Sequence, residues 1–120
     1  MESYILFFAG LSFILVHEMD AIKCQEWTIF PLISRLDEKT GYFVFTALHV
    51  ALYLFLFWGL YDNNGLNKDL ITGLDIFFII HVFLHVLYLR HPKNQFKSVF
   101  SWTVILGAGI AGLLDLVTKL

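Results

Sequence analysis

Histidines and acids placed inside apolar runs are the residues of this 120-residue sequence that could do chemistry. His17, Glu18 and Asp20 close the first apolar run, His49 lies in the second, and His81 and His85 share the third. An ionisable side chain in such a run is costly unless it faces the protein interior, pairs, or binds something. His17 and Asp20 are three residues apart and share a helix face, with Cys24 a further turn along, whereas Glu18 points elsewhere. His49 is flanked on its own face by Thr46 and Tyr53. His81 and His85, four apart, stack on one face with Phe77, Phe78 and Tyr88.

Imidazole and carboxylate are the ligands that zinc, iron and manganese take, and an i, i+4 histidine pair offers two nitrogens to one ion. Inward-facing histidines and acids on neighbouring helices are also how helical bundles build metal sites. The candidate ligands are His17, His49, His81 and His85, with Asp20 as a fifth. Glu18 and Glu26 are the candidate catalytic acids or bases beside a divalent ion, zinc or iron. For each histidine alone, an interhelical hydrogen bond is the plainer explanation, and for the set a structural polar network is the alternative. A bis-histidine haem, with His49 facing His81 or His85, is a third possibility.

The elements that must position these residues are four apolar runs, approximately 4–22, 41–60, 70–89 and 99–117. Each is near the roughly 20 helical residues that span about 30 Å of hydrocarbon. Composition agrees: 58% of residues are hydrophobic, only 15% are charged, and the mean hydropathy is +0.73. Soluble domains carry about 25% charged residues. A net charge of −2 gives a nucleic-acid partner no electrostatic footprint. One cysteine excludes an internal disulfide. The N-terminus lacks a basic stretch and a small-residue cleavage site, so the first run is expected to stay in the mature chain. Pro31 and Pro92 fall between runs, and Tyr61-Asp62-Asn63-Asn64-Gly65 reads as a turn.

The predicted fold is therefore a single all-α membrane domain, 1–120, with four transmembrane helices in an up-down bundle. Lys23, Arg35 and Lys39 in the first connection, with Arg90, Lys93 and Lys97 in the third, put those loops in the cytoplasm and both termini outside. On this orientation His49 and His81 lie about 12 Å from the cytoplasmic end and His17 and His85 about 6 to 8 Å, with Asp20 and Glu26 just below. Four imidazoles from three helices thus share one slab of the membrane. Asp75 and Asp115 fall in the outer half, where cross-helix pairing or contact with water accounts for them. Trp27, Trp58, Tyr61 and Trp102 fit an interfacial aromatic belt.

In the first connection, Trp27, Ile29, Phe30, Leu32, Ile33 and Leu36 give an apolar face, and Pro31 could open a short helix lying on the inner surface. Gly107, Ala108, Gly109, Ala111 and Gly112 in the fourth run make a small-residue face. Packing within the bundle and a homodimer would both use it.

The combination His17-Glu18-Met19-Asp20-Ala21-Ile22, Glu26-Trp27, Pro31-Leu32, His49, and Asp75 with His81-Val82-Phe83-Leu84-His85 resembles an uncharacterised family. Its members are short bacterial four-pass membrane proteins assigned to a domain of unknown function. The likeness runs from the first helix through Ser101-Trp102 to Leu114-Asp115-Leu116. It implies a bacterial inner-membrane protein and brings no activity with it. The zinc-protease pattern H-E-x-x-H is not met, because Ala21 holds the place of the second histidine. The bacterial membrane domain named for H-x-x-E-E is only loosely similar, and its motif is not reproduced either.

Two functional expectations follow. One is a metal-binding membrane protein, and by extension an enzyme in which metal-bound water attacks a lipid-like substrate from the bilayer. The other is a structural or interaction subunit without a cofactor. A transporter fits poorly, since no span is broken and no repeat is present.

Overall fold

The computed structural model describes residues 3–31 and 33–120. Its elements are α1 (Ile5–Lys23), a short 3-10 helix (Glu26–Ile29), α2 (Glu38–Gly59), a hairpin of β1 (Tyr61–Asp62) and β2 (Gly65–Leu66), α3 (Lys68–Leu87) and α4 (Val99–Thr118). The four α-helices coincide with the four apolar runs, and each is long and apolar enough to cross a membrane.

Local chemistry sets the boundaries. The turn between α2 and α3 closes as a small antiparallel hairpin pairing Tyr61 with Leu66 and Asp62 with Gly65. Gly65 takes φ +108°, open to a residue without Cβ. The Asp62 carboxylate accepts the Asn64 N–H at 2.7 Å. Asn67 then caps α3, its side-chain oxygen accepting the Leu70 N–H, and Ser98 caps α4 by accepting the Ser101 N–H.

Packing centres on α4, which lies against both α1 and α3. Small residues allow this. A Cβ on Gly109 would stand 2.5 Å from Val82 Cγ2, and one on Gly112 would stand 2.8 Å from the Asp75 carbonyl oxygen. The glycine/alanine face is therefore filled within the chain by α1 and α3. Beside it, Phe7, Leu11, Ile14, Ile71, Phe78 and Ala108 form one buried cluster. Asp75 and Asp115 are buried too, and Asp115 pairs at 2.6 Å with Lys119, the residue that follows α4.

Helix α2 is held mainly at its ends. Leu56 and Leu60 pack on the cluster around Ile71 near the hairpin. At the other end Gly41 lies so close to Trp27 that a Cβ would stand 2.5 Å from the indole nitrogen. Between these anchors α2 and α3 barely touch.

The connection after α1 departs from expectation in two respects. Its short helix precedes Pro31 instead of starting there. Phe30 is already extended, as steric conflict with a following proline ring favours, so the helix stops. Trp27, expected in the interfacial belt, is 2% exposed and packs between Phe45 and Gly41. Leu32, also assigned to the apolar face of this connection, lies outside the described residues.

Candidate metal centre

Two helices and the 3-10 helix bring four ligand-bearing side chains to one point. His81 and His85 stack along α3 because four residues make about one turn, and their ring centroids lie 4.5 Å apart. His17, near the end of α1, meets both edge-on at 4.5 and 4.8 Å. Directly after α1, Gln25 takes a left-handed backbone conformation at φ 50° and turns the chain back. That turn places Glu26 beneath His17, with Glu26 Oε2 3.8 Å from His17 Nε2 and Oε1 3.9 Å from His85 Nε2. One ligand atom each from His17, Glu26, His81 and His85 falls within 4.8 Å of the others.

The group is buried and incompletely satisfied. His17 is fully buried, and His81 and His85 are nearly so. Among the described residues neither ring nitrogen of His17, nor Nδ1 of His81, has a hydrogen-bond partner. A buried polar atom left unpaired costs about 1–3 kcal/mol. Burial first, and the Glu18 carboxylate second, push the Glu26 carboxyl up to about 8. A cation among these four groups would relieve both penalties, by taking the nitrogen lone pairs and by neutralising the carboxylate. Zinc ligands at 2.0–2.1 Å stand roughly 3.3 Å apart in a tetrahedron, so loading calls for ligand atoms to close by up to about 1.5 Å.

The loop between α3 and α4 closes the group from one side. Phe96, 1% exposed, sits 5.3 Å from the His17 ring and 4.6 Å from that of His85. Asn94 holds this loop by donating to the Leu89 carbonyl and accepting the Phe96 N–H, while Trp102 Nε1 donates to the Phe96 carbonyl.

Of the five expected ligands, His17, His81 and His85 meet, whereas Asp20 and His49 are placed elsewhere. Asp20 accepts a 2.5 Å hydrogen bond from Ser101 Oγ and so ties α1 to α4. His49 Nδ1 lies 2.7 Å from the Phe45 carbonyl and Nε2 lies 2.5 Å from Glu18 Oε2. The carbonyl can only accept, so Nδ1 is the donor and the Nε2–Oε2 contact holds a single shared proton. Cys24 also stays out of the group. Burial and the Asp20 carboxylate push its thiol up, and it is 3.6 Å from the Gln95 carbonyl.

Glu26, expected as an acid or base beside the ligands, stands among them. Phe96 and Asn94, single residues of a loop, and the Ser101 hydroxyl in the first turn of α4 carried no signal as ligand neighbours. Glu18 and His49 nevertheless belong to the same region. They line one cavity of about 340 Å³ together with Glu26, His81, His85 and Tyr88.

A model of the family of unknown function DUF6713 matches residues 3–120. The chain belongs to this family. Comparison with curated proteins and with solved structures gives no match. The DUF6713 match agrees with the resemblance read from the His17–Ile22 and His81–His85 strings and adds no chemistry, so the functional argument rests on the site.

Proposed function

We propose that this protein is a four-pass membrane protein that holds one divalent metal ion, zinc or iron, between His17, Glu26, His81 and His85. The observation that carries this reading is His17, fully buried with both ring nitrogens unpartnered beside two further imidazoles and a carboxylate. A three-nitrogen, one-oxygen set suits zinc or ferrous iron. The edge-to-face packing of the three rings favours a single ion over a porphyrin, which needs a slot between its axial histidines.

In this reading the connections after α1 and α3 face the cytoplasm of a bacterial cell, both termini lie outside, and the metal sits near the inner surface. The cavity beside the ion, with Glu18 and His49 on it, extends the proposal to a metal-dependent enzyme acting on a lipid-like substrate. Glu18 is the acid or base of that extension, while Glu26 is occupied as a ligand. The satisfied pairs Glu18–His49 and Asp20–Ser101 also fit a cofactor-free structural network, but such a network leaves His17 unexplained.

Metal analysis of detergent-purified protein tests this. About one ion per chain is expected in the wild type, and a small fraction of that in a His81→Ala, His85→Ala variant that stays folded by circular dichroism. Absence of stoichiometric metal from the wild type, even after loading with zinc and with ferrous iron, would sink the proposal.

A further inference from the structure

The cavity has a polar floor and an apolar rim, and the two face different surroundings. His81 and His85 on its floor are only 6% and 5% exposed. On its rim Leu52, Phe77 and Leu84 are 53%, 44% and 43% exposed, on the flanks of α2 and α3. Those flanks are what a membrane-spanning α2 and α3 turn toward acyl chains. The opening also coincides with the stretch where the two helices barely touch, between the Trp27 anchor and the hairpin anchor. Lining residues on α3 and its C-cap run from Phe77 to Tyr88, about 16 Å along the helix axis.

A site entered through hydrocarbon, narrow, and polar only at its inner end selects a molecule with one chain and one compact polar head. We propose that the slot between α2 and α3 admits a single acyl chain from the bilayer and delivers its carboxyl or carbonyl oxygen to the metal group. This rests on the metal reading: the head's oxygen takes a fifth position on the ion, on the cavity side of the four protein ligands, as zinc and ferrous iron allow. Leu52 and Leu84 are then gatekeepers whose size sets access, not ligands.

The test uses full-length protein in detergent, loaded with Co(II) as a visible-band reporter and titrated with dodecanoate or acetate. Chain partitioning into the micelle is common to all variants, so affinities are compared between variants at fixed detergent. Dodecanoate is expected to shift the cobalt bands of the wild type, and Leu52→Trp or Leu84→Trp to weaken that response at least tenfold. Acetate, which carries the same head without a chain, is expected to respond equally in all three proteins. Equal dodecanoate affinity in wild type and both variants would overturn the slot while leaving the metal centre standing. Failure of the wild type to take up cobalt, zinc or iron would instead remove the metal centre and this inference with it. Both substituted leucines are surface-exposed, and two independent variants guard against misfolding in one.

Discussion

His17 is the residue whose environment is hardest to explain without a ligand. Among the described residues neither of its ring nitrogens has a hydrogen-bond partner, and the neighbouring groups of fitting chemistry are two imidazoles and the Glu26 carboxyl. Replacing it with alanine should lower metal affinity by more than about 100-fold, since even residues that only support ligands cost 10–100-fold. His49→Gln, by contrast, should retain metal at one ion per chain, because His49 contacts Glu18 and the Phe45 carbonyl and stands apart from the group. Metal titration of the two variants side by side separates these outcomes. Glu26 adds a pH signature. With its carboxyl raised to about 8, it holds its proton at neutral pH and must release it to bind an ion. Affinity should therefore rise as pH rises toward 8 and flatten above it, with protons released during loading below 8. Proton counting by calorimetry in two buffers of different ionisation enthalpy checks this.

At the scale of elements, the small residues of α4 are the fold's tightest constraint. A methyl group at Gly112 would meet the Asp75 backbone, which cannot swing aside. Gly112→Ala should thus cost about 1–3 kcal/mol of stability as overpacking. Gly73 has open space around its Cβ position, so Gly73→Ala should be neutral or better. Thermal or denaturant unfolding in one detergent compares the pair. Helix positions were legible in the sequence because apolar length and punctuation by Pro31, Pro92 and the Asn63-Asn64-Gly65 turn are local signals. The i, i+4 pair His81 and His85 was legible for the same reason. Glu26 as a ligand was not, because its placement depends on the left-handed turn at Gln25, a residue type with no preference for it. The separation of Asp20 and His49 from the group was equally hidden, since each is decided by a partner on another helix, Ser101 or Glu18.

For the whole molecule, the proposed topology puts the metal group and the hairpin at opposite faces of the membrane. In a Cys24→Ser background, a cysteine introduced by Asn64→Cys should react with a membrane-impermeant maleimide on intact cells, and one introduced by Lys93→Cys only after permeabilisation. The reverse pattern would invert the orientation. The resemblance already fixed a family, and the DUF6713 match over 3–120 bears that out, but a family of unknown function leaves the chemistry to the side chains. Helices α1 and α3 and the 3-10 helix converge so that His17, His81, His85 and Glu26 enclose one point, Phe96 covers it, and α2 stands off to leave the cavity. The most direct test of that arrangement is X-ray absorption at the edge of the metal bound by purified protein. Three imidazole nitrogens and one carboxylate oxygen are expected, at about 2.0–2.2 Å if the ion is zinc. A shell containing sulfur at about 2.3 Å, or one with a single imidazole or none, would contradict it.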